Sequence, residues 1–142
     1  MNLVQQLLDH KGSQVVSIAP EASVLEALKL MAEKAIGSLV VMKDDSLVGV
    51  ITERDYARKV IIKGRTAEVT PVAEIMSTEV ITISPGQTVK ECMTIMSERR
   101  IRHLPVMENG QVVGLVSIGD LVQAIIRSQQ AEIEQLEQYI SG

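Results

Sequence analysis

The sequence predicts an α/β fold of the α+β kind: two tandem copies of a βαββα unit, followed by an extended C-terminal helix. Three observations lead to it. They are a gapless internal repeat, a capping box opening an amphipathic stripe in each copy, and a turn-linked pair of apolar runs after each stripe. Ser17 to Ala57 aligns onto Thr82 to Val122 at a constant offset of 65, with about a third of the positions identical. Ile18, Pro20, Val24, Glu26, Met31 and Glu33 return as Ile83, Pro85, Val89, Glu91, Met96 and Glu98. Further along, Ile36, Leu39, Val41, Val48, Gly49 and Asp55 return as Ile101, Leu104, Val106, Val113, Gly114 and Asp120.

Each element has its own signal. Ser23 with Glu26, and Thr88 with Glu91, are capping boxes that open helices. Val24, Ala27, Leu28 and Met31, like Val89, Cys92, Met93 and Met96, then recur at helical spacing and mark core faces. SLVVM and LVGVIT around Lys43-Asp44-Asp45-Ser46 form one hairpin, and HLPVM and VVGLVS around Asn109-Gly110 form its counterpart. A second helix follows each hairpin, the first running from about Glu53 to Lys63 and stopping at Gly64. The short VQQLLDH and VAEIMS segments each lead into the copy that follows them. Residues 1–64 are thus read as the first repeat, 65–71 as a linker, 72–127 as the second repeat and 128–142 as a helical extension. A half of roughly 60 residues buries only a marginal core. The copies are therefore expected to pack around a pseudo-two-fold axis, leaving two related clefts for ligands.

Composition narrows the function. The chain has 142 residues and a formal net charge of −4, which argues against a nucleic-acid-binding face. Tyr56 and Tyr139 are the only aromatics, too few for base-stacking platforms. No apolar run reaches the roughly 20 residues of a membrane span, and the N-terminus has no signal-peptide core. The single cysteine, Cys92, is read as a buried inert thiol in a reducing cytoplasm. His10 and His103 are too few for a metal site. The methionines are read as adaptable core.

The site candidate is the pair Gly49-Val50-Ile51-Thr52-Glu53-Arg54-Asp55 and Gly114-Leu115-Val116-Ser117-Ile118-Gly119-Asp120. In each, a strand delivers a hydroxyl to a helix start, where free N–H groups and the dipole favour an anion such as phosphate. The aspartate one turn on can accept from both hydroxyls of a ribose. The same spacing is also an N-terminal capping box, and duplication copies caps as readily as sites. Spacing leaves both readings open.

The surrounding sequence resembles the cystathionine β-synthase (CBS) domain family. The matching features are Val16-Ser17-Ile18-Ala19-Pro20 and Ile81-Thr82-Ile83-Ser84-Pro85, the helices with Met31 and Met96, Arg102-His103-Leu104-Pro105-Val106, and the two glycine-to-aspartate segments. Together with the tandem arrangement and the stretch Thr52 to Lys59, they look like those of stand-alone bacterial proteins with two CBS domains. The resemblance implies a regulatory sensor binding AMP first, then ATP, ADP or NAD(H), and sometimes S-adenosylmethionine, in the clefts between copies. It implies that Asp55 and Asp120 hold ribose hydroxyls and that Thr52 and Ser117 contact phosphate or ribose. It also implies that the main chain around Ser17-Ile18 and Thr82-Ile83 reads the adenine edge.

The copies differ near these sites. Arg102 and His103 stand where the first copy has Gly37 and Ser38; they are assigned to phosphate neutralisation, against the alternative of a solvated helix end that includes Arg99 and Arg100. Arg54 faces Gly119 across the alignment, and it either grips a phosphate or fills its cleft. The site built around Ser117 and Asp120 is expected to be the tighter. Val122, Ile126, Gln129, Ile133, Leu136 and Ile140 alternate at intervals of four and three, the pattern of a helix-helix seam, and predict a homodimer. With no nucleophile-base pair, metal cluster or P-loop, no catalytic cofactor is expected and the chain is read as no enzyme. The partner it regulates is expected to be a separate, unidentified protein. The alternative is a ligand-free interaction module acting through dimerisation.

Overall fold

Hydroxyl side chains start both long helices within the repeats, as their sequence requires. The computed structural model describes residues 2–12 and 14–141. The domain ends drawn at Met1 and Gly142, and Ser13, lie outside the described residues. Elements run in the order α1 (Val4–Lys11), β1 (Ser17–Ile18), α2 (Val24–Lys34), β2 (Ser38–Lys43), β3 (Ser46–Thr52) and α3 (Glu53–Tyr56). A π-helical turn (Ala57–Ile61) and a 3-10 turn (Val72–Glu74) follow, then α4 (Val89–Arg99), β4 (His103–Glu108), β5 (Gln111–Ser117) and α5 (Ile118–Ser141). Ser23 Oγ accepts the Glu26 amide at 3.1 Å and Thr88 Oγ1 the Glu91 amide at 3.0 Å. Both helices end on a residue in the left-handed region, Ala35 (φ 55°) and Arg100 (φ 56°).

The chain forms two compact units, described separately. One is Val15–Ile81 and the other is Met1–Gln14 with Thr82–Gly142. In the first, β2 pairs antiparallel with β3 and parallel with β1, with Ser17 opposite Val40 and Ser38 opposite Thr52. Val24, Ala27 and Met31 of α2 pack with Leu39, Val41, Ile51, Val60, Val72 and Ile75 as its core. In the second, β4 and β5 pair with His103 opposite Ser117, and Ile83 makes a single parallel bridge to Val106 where the first unit has a strand. Its buried side chains include Val4, Leu7, Leu8, Val89, Cys92, Met96, Leu104, Val106, Val116 and Leu121. Both hairpins carry a bulge at the same place, after Val41 and after Val106. The Asn109-Gly110 turn has positive φ at both residues, 53° and 78°, as a tight hairpin turn demands.

The expected roles of the two lead-in segments are corrected by this division. α1 belongs with the second copy and Val72–Glu74 with the first, the reverse of the sequence expectation. The exchanged segments dock bond for bond. Val72 and Ala73 donate to the carbonyls of Ala22 and Pro20 at 2.8 and 2.9 Å; Val4 and Gln5 donate to those of Gln87 and Pro85 at 2.9 and 3.0 Å. Residues 65–71 are part of the same packing, since the Thr70 carbonyl accepts from Val24 at 2.8 Å and that of Ala67 from Leu25 at 3.0 Å. The glycine of β3 or β5 makes room for each docked segment. A Cβ on Gly49 would lie 2.7 Å from Met76 Sδ, and one on Gly114 would lie 2.6 Å from Leu8 Cδ2. Each lead-in thus seats a long side chain against a bare backbone. The Val72–Met76 segment turns back to β3 through paired Val50–Ser77 bonds of 3.0 and 2.9 Å.

α5 runs on past the repeat. From Gln129 every described residue is exposed, with Ile133, Leu136 and Ile140 at 48%, 61% and 81%. No helix among the described residues is long and apolar enough to cross a membrane.

Candidate functional site

Each β-hairpin ends on a hydroxyl that opens the next helix, and the carboxylate one turn later folds back onto it. In the Val15–Ile81 unit, Thr52 Oγ1 accepts the Asp55 amide at 3.1 Å, while Asp55 Oδ2 accepts the Thr52 amide at 2.9 Å and the Thr52 hydroxyl at 3.1 Å. In the other unit, Ser117 Oγ accepts the Asp120 amide at 3.1 Å and Asp120 Oδ2 accepts the Ser117 amide at 2.8 Å. Both motifs are therefore reciprocal caps. In both, the cap uses Oδ2 and leaves Oδ1 outside it.

The next helical amide is also held. Glu53 donates to the Gly37 carbonyl at 3.2 Å and Ile118 to that of Arg102 at 2.9 Å. This fixes Gly37-Ser38 and Arg102-His103 beside the two caps, with Ser38 buried and Arg102 exposed. Arg54 and Gly119 are both exposed on the first turn that follows. All the candidate residues of the first copy fall within one unit and all those of the second within the other. Ser17 and Ile18 lie on the strand beside β2, opposite Val40 and Val41, two residues beyond Ser38. Ile83 is less available than the sequence suggests. Its amide donates to Pro105 at 3.0 Å and its carbonyl accepts from Met107 at 2.8 Å, so the main chain left to meet a ligand there is that of Thr82.

Two lysines that sequence reasoning did not single out sit on the carboxylates. Lys11 Nζ lies 2.7 Å from Asp120 Oδ2 and donates to the Leu115 carbonyl at 2.8 Å. Lys59 Nζ lies 3.2 Å from Asp55 Oδ1 and donates to the Ile75 carbonyl at 2.8 Å. The two are not repeat equivalents, because Lys59 is four residues past Asp55, where the second copy has Ala124. Lys59 was legible as an i,i+4 partner; Lys11, 109 residues from Asp120, carried no sequence signal. Burial pushes the Asp120 carboxyl up, but the Lys11 ammonium and the Ser117 donors outweigh it and hold it below its ordinary value. A fixed carboxylate anion with acceptor capacity beyond its cap suits a vicinal diol. Among the described residues no group of His, Cys, Asp or Glu is arranged to hold a metal.

The model of the CBS domain matches residues 9–62 and 72–127. The chain is 42% identical over 125 residues to the mitochondrial CBS domain-containing protein CBSX3 of Arabidopsis thaliana, covering 84% of this chain and 61% of that protein. It is 34% identical to CBS domain-containing protein YhcV of Bacillus subtilis, covering 80% of each. Among solved structures, a signal-transduction protein with CBS domains from Burkholderia ambifaria superposes with a TM-score of 0.87 at 44% identity, covering 90% of this chain and 96% of that one. The CBS domain pair of protein MJ0100, solved with 5′-methylthioadenosine and S-adenosyl-L-methionine, superposes with a TM-score of 0.80 at 26% identity over 90% of this chain and 98% of that one. With two segments matched by the domain's model, this chain belongs to the CBS-domain family and carries a tandem pair of CBS domains.

Proposed function

We propose that this CBS-domain pair is a regulatory module that binds an adenosine-containing ligand at the Thr52–Asp55 and Ser117–Asp120 motifs and passes its occupancy to a separate protein. AMP is the first choice, then ATP, ADP or NAD(H). The adenosyl ligands of the MJ0100 pair support the ligand class. The observation that carries the reading is that both caps close through Oδ2 and leave Oδ1 of Asp55 and Asp120 outside them. The cap and the ribose readings are thus compatible: one oxygen fixes the helix start, and the carboxylate still offers acceptors to a diol. Arg102 and His103 would meet the phosphate in the second unit, and Arg54 in the first. Cys92 has no possible disulfide partner within the chain, which suits a reducing compartment such as the cytoplasm.

A native mass spectrum of the purified protein with AMP, ATP, NADH and S-adenosylmethionine tests this. A bound ligand at 100 times its dissociation constant adds about 2.7 kcal/mol to stability. No added mass and no change in melting temperature with all four would overturn the reading.

A second reading, an interaction module, is favoured by α5. Its exposed stripe of Ile126, Ile133, Leu136 and Ile140 repeats at coiled-coil spacing, and an unsupported helical stretch of about 13 residues is marginal in water. A second copy of the chain would cover it. The two readings combine in a homodimer that binds nucleotide.

A further inference from the structure

Lys11 stands at a junction of three things: a candidate ligand carboxylate, the end of a docked helix, and the crossing of the chain from one unit to the other. It is the last residue of α1, and the chain passes into the other unit between Gln14 and Val15. α1 itself is held by apolar burial, with Val4, Leu7 and Leu8 at 0–3% exposure. Its last residue is held differently, by Lys11 Nζ on Asp120 Oδ2 and on the Leu115 carbonyl, and the helix ends at Gly12 with φ 94°.

The acceptor count at Asp120 decides what a ribose would do there. A carboxylate oxygen has two lone-pair sites. Oδ2 already receives the Ser117 amide at 2.8 Å and Lys11 at 2.7 Å. A diol that takes both carboxylate oxygens must therefore remove one of these donors. The amide belongs to the strand end and is fixed by the cap, whereas the lysine is a flexible side chain, 37% exposed, in a class of ion pair with little net strength. Asp55 differs: its Oδ2 receives an amide and the Thr52 hydroxyl, which can rotate away without moving any other element, and Lys59 occupies Oδ1 instead.

We infer that Lys11 is a latch that couples ligand occupancy at Asp120 to the chain segment joining the two units: a ribose diol displaces the Lys11 ammonium from Oδ2 and frees the C-terminal end of α1 beyond the buried Leu8. This rests on the ligand reading above. At Asp55 the diol displaces the Thr52 hydroxyl instead and leaves Lys59 in place on Oδ1 and on the Ile75 carbonyl. The two sites thus differ in what they report as well as in their cations.

The test uses the full chain and two uncharged probes, adenosine and 2′,3′-dideoxyadenosine, so that attraction between Lys11 and a phosphate does not enter. Lys11→Met keeps the stem and removes the competitor. Calorimetric titration should show adenosine binding about two- to fivefold tighter to the variant, the size of an exposed ion pair, with no change for the dideoxy probe, which has no diol. Hydrogen exchange of the Lys11 and Gly12 amides in the wild-type protein should speed up when adenosine is added. In Lys11→Met it should be fast from the start and should not respond. Unchanged or weaker adenosine binding in the variant, or an unchanged or slower exchange rate in the wild type, overturns the latch. Binding of adenosine that requires Asp120 but leaves Lys11 undisturbed removes the latch alone; if neither adenosine nor any of the four ligands binds the wild type, the ligand reading fails and the latch with it.

Discussion

Replacing Gly49 by alanine should be one of the most damaging single-atom additions to the chain. The new Cβ would stand 2.7 Å from Met76 Sδ and 2.9 Å from the Ser77 carbonyl oxygen. The sulfur can turn aside, but the carbonyl belongs to the paired bonds with Val50. Overpacking costs about 1–3 kcal/mol and a weakened backbone bond about 1 kcal/mol, so a loss of about 3 kcal/mol is expected. At the equivalent position, the nearest atoms to a Gly114 Cβ are the methyls of the Leu8 side chain, at 2.6 and 3.2 Å, and Gly114→Ala should cost about 1–2 kcal/mol. Gly119 is the control. Its Cβ would make one ordinary contact, 3.7 Å from Ser117 Oγ, and a helical Gly→Ala change gains up to about 1 kcal/mol. Urea unfolding followed by circular dichroism gives all three. A Gly49→Ala protein within about 0.5 kcal/mol of wild type, or Gly119→Ala as costly as Gly49→Ala, would refute the account of how the lead-ins dock.

Three further outcomes follow from the same structure. Burial, reinforced by the neighbouring Glu91, pushes the Cys92 thiol up to about 11 from 9.0. The unfolded chain therefore loses this proton first as pH rises through 9, and stability should fall between there and pH 11 by roughly 2–3 kcal/mol; Cys92→Ala should remove that slope in urea titrations at a series of pH values. Ala35→Gly and Arg100→Gly relieve left-handed residues, strain of about 1–2 kcal/mol offset by the about 0.5–1 kcal/mol that glycine's unfolded-state freedom costs, and each should raise the melting temperature by a few degrees. A chain ending at Ser128 loses the exposed Ile133, Leu136 and Ile140 and should run as a monomer in light scattering, where the full chain is expected to run as a dimer. The melting temperature of the shortened chain should not depend on its concentration, whereas that of the full chain should rise with it.

Local chemistry made much of this legible from sequence. Ser23, Thr88 and the Asn109-Gly110 turn act through bonds within a few residues of themselves, so their spacing was enough. The exchange of lead-ins was not legible, because Val4 and Val72 look alike and proximity in sequence favoured the wrong copy. Their docking shows in the close approach of Met76 to Gly49 and of Leu8 to Gly114, a property of surfaces rather than of runs. The glycine opening each motif therefore serves packing, and the hydroxyl and carboxylate that end it form the cap. Sequence left cap and ligand as rivals; the geometry shows the cap using one carboxylate oxygen only. Lys11 escaped notice because its partner lies 109 residues away in the chain.

The central claim is that Asp55 and Asp120 hold the ribose of an adenosine ligand while also capping their helices. Calorimetric titration of AMP into wild type, Asp55→Ala and Asp120→Ala tests it most directly. Each substitution should remove one equivalent of bound AMP while costing about 1 kcal/mol of intrinsic stability as a lost cap. Full AMP stoichiometry and unchanged affinity in both variants would show that the carboxylates are caps and nothing more.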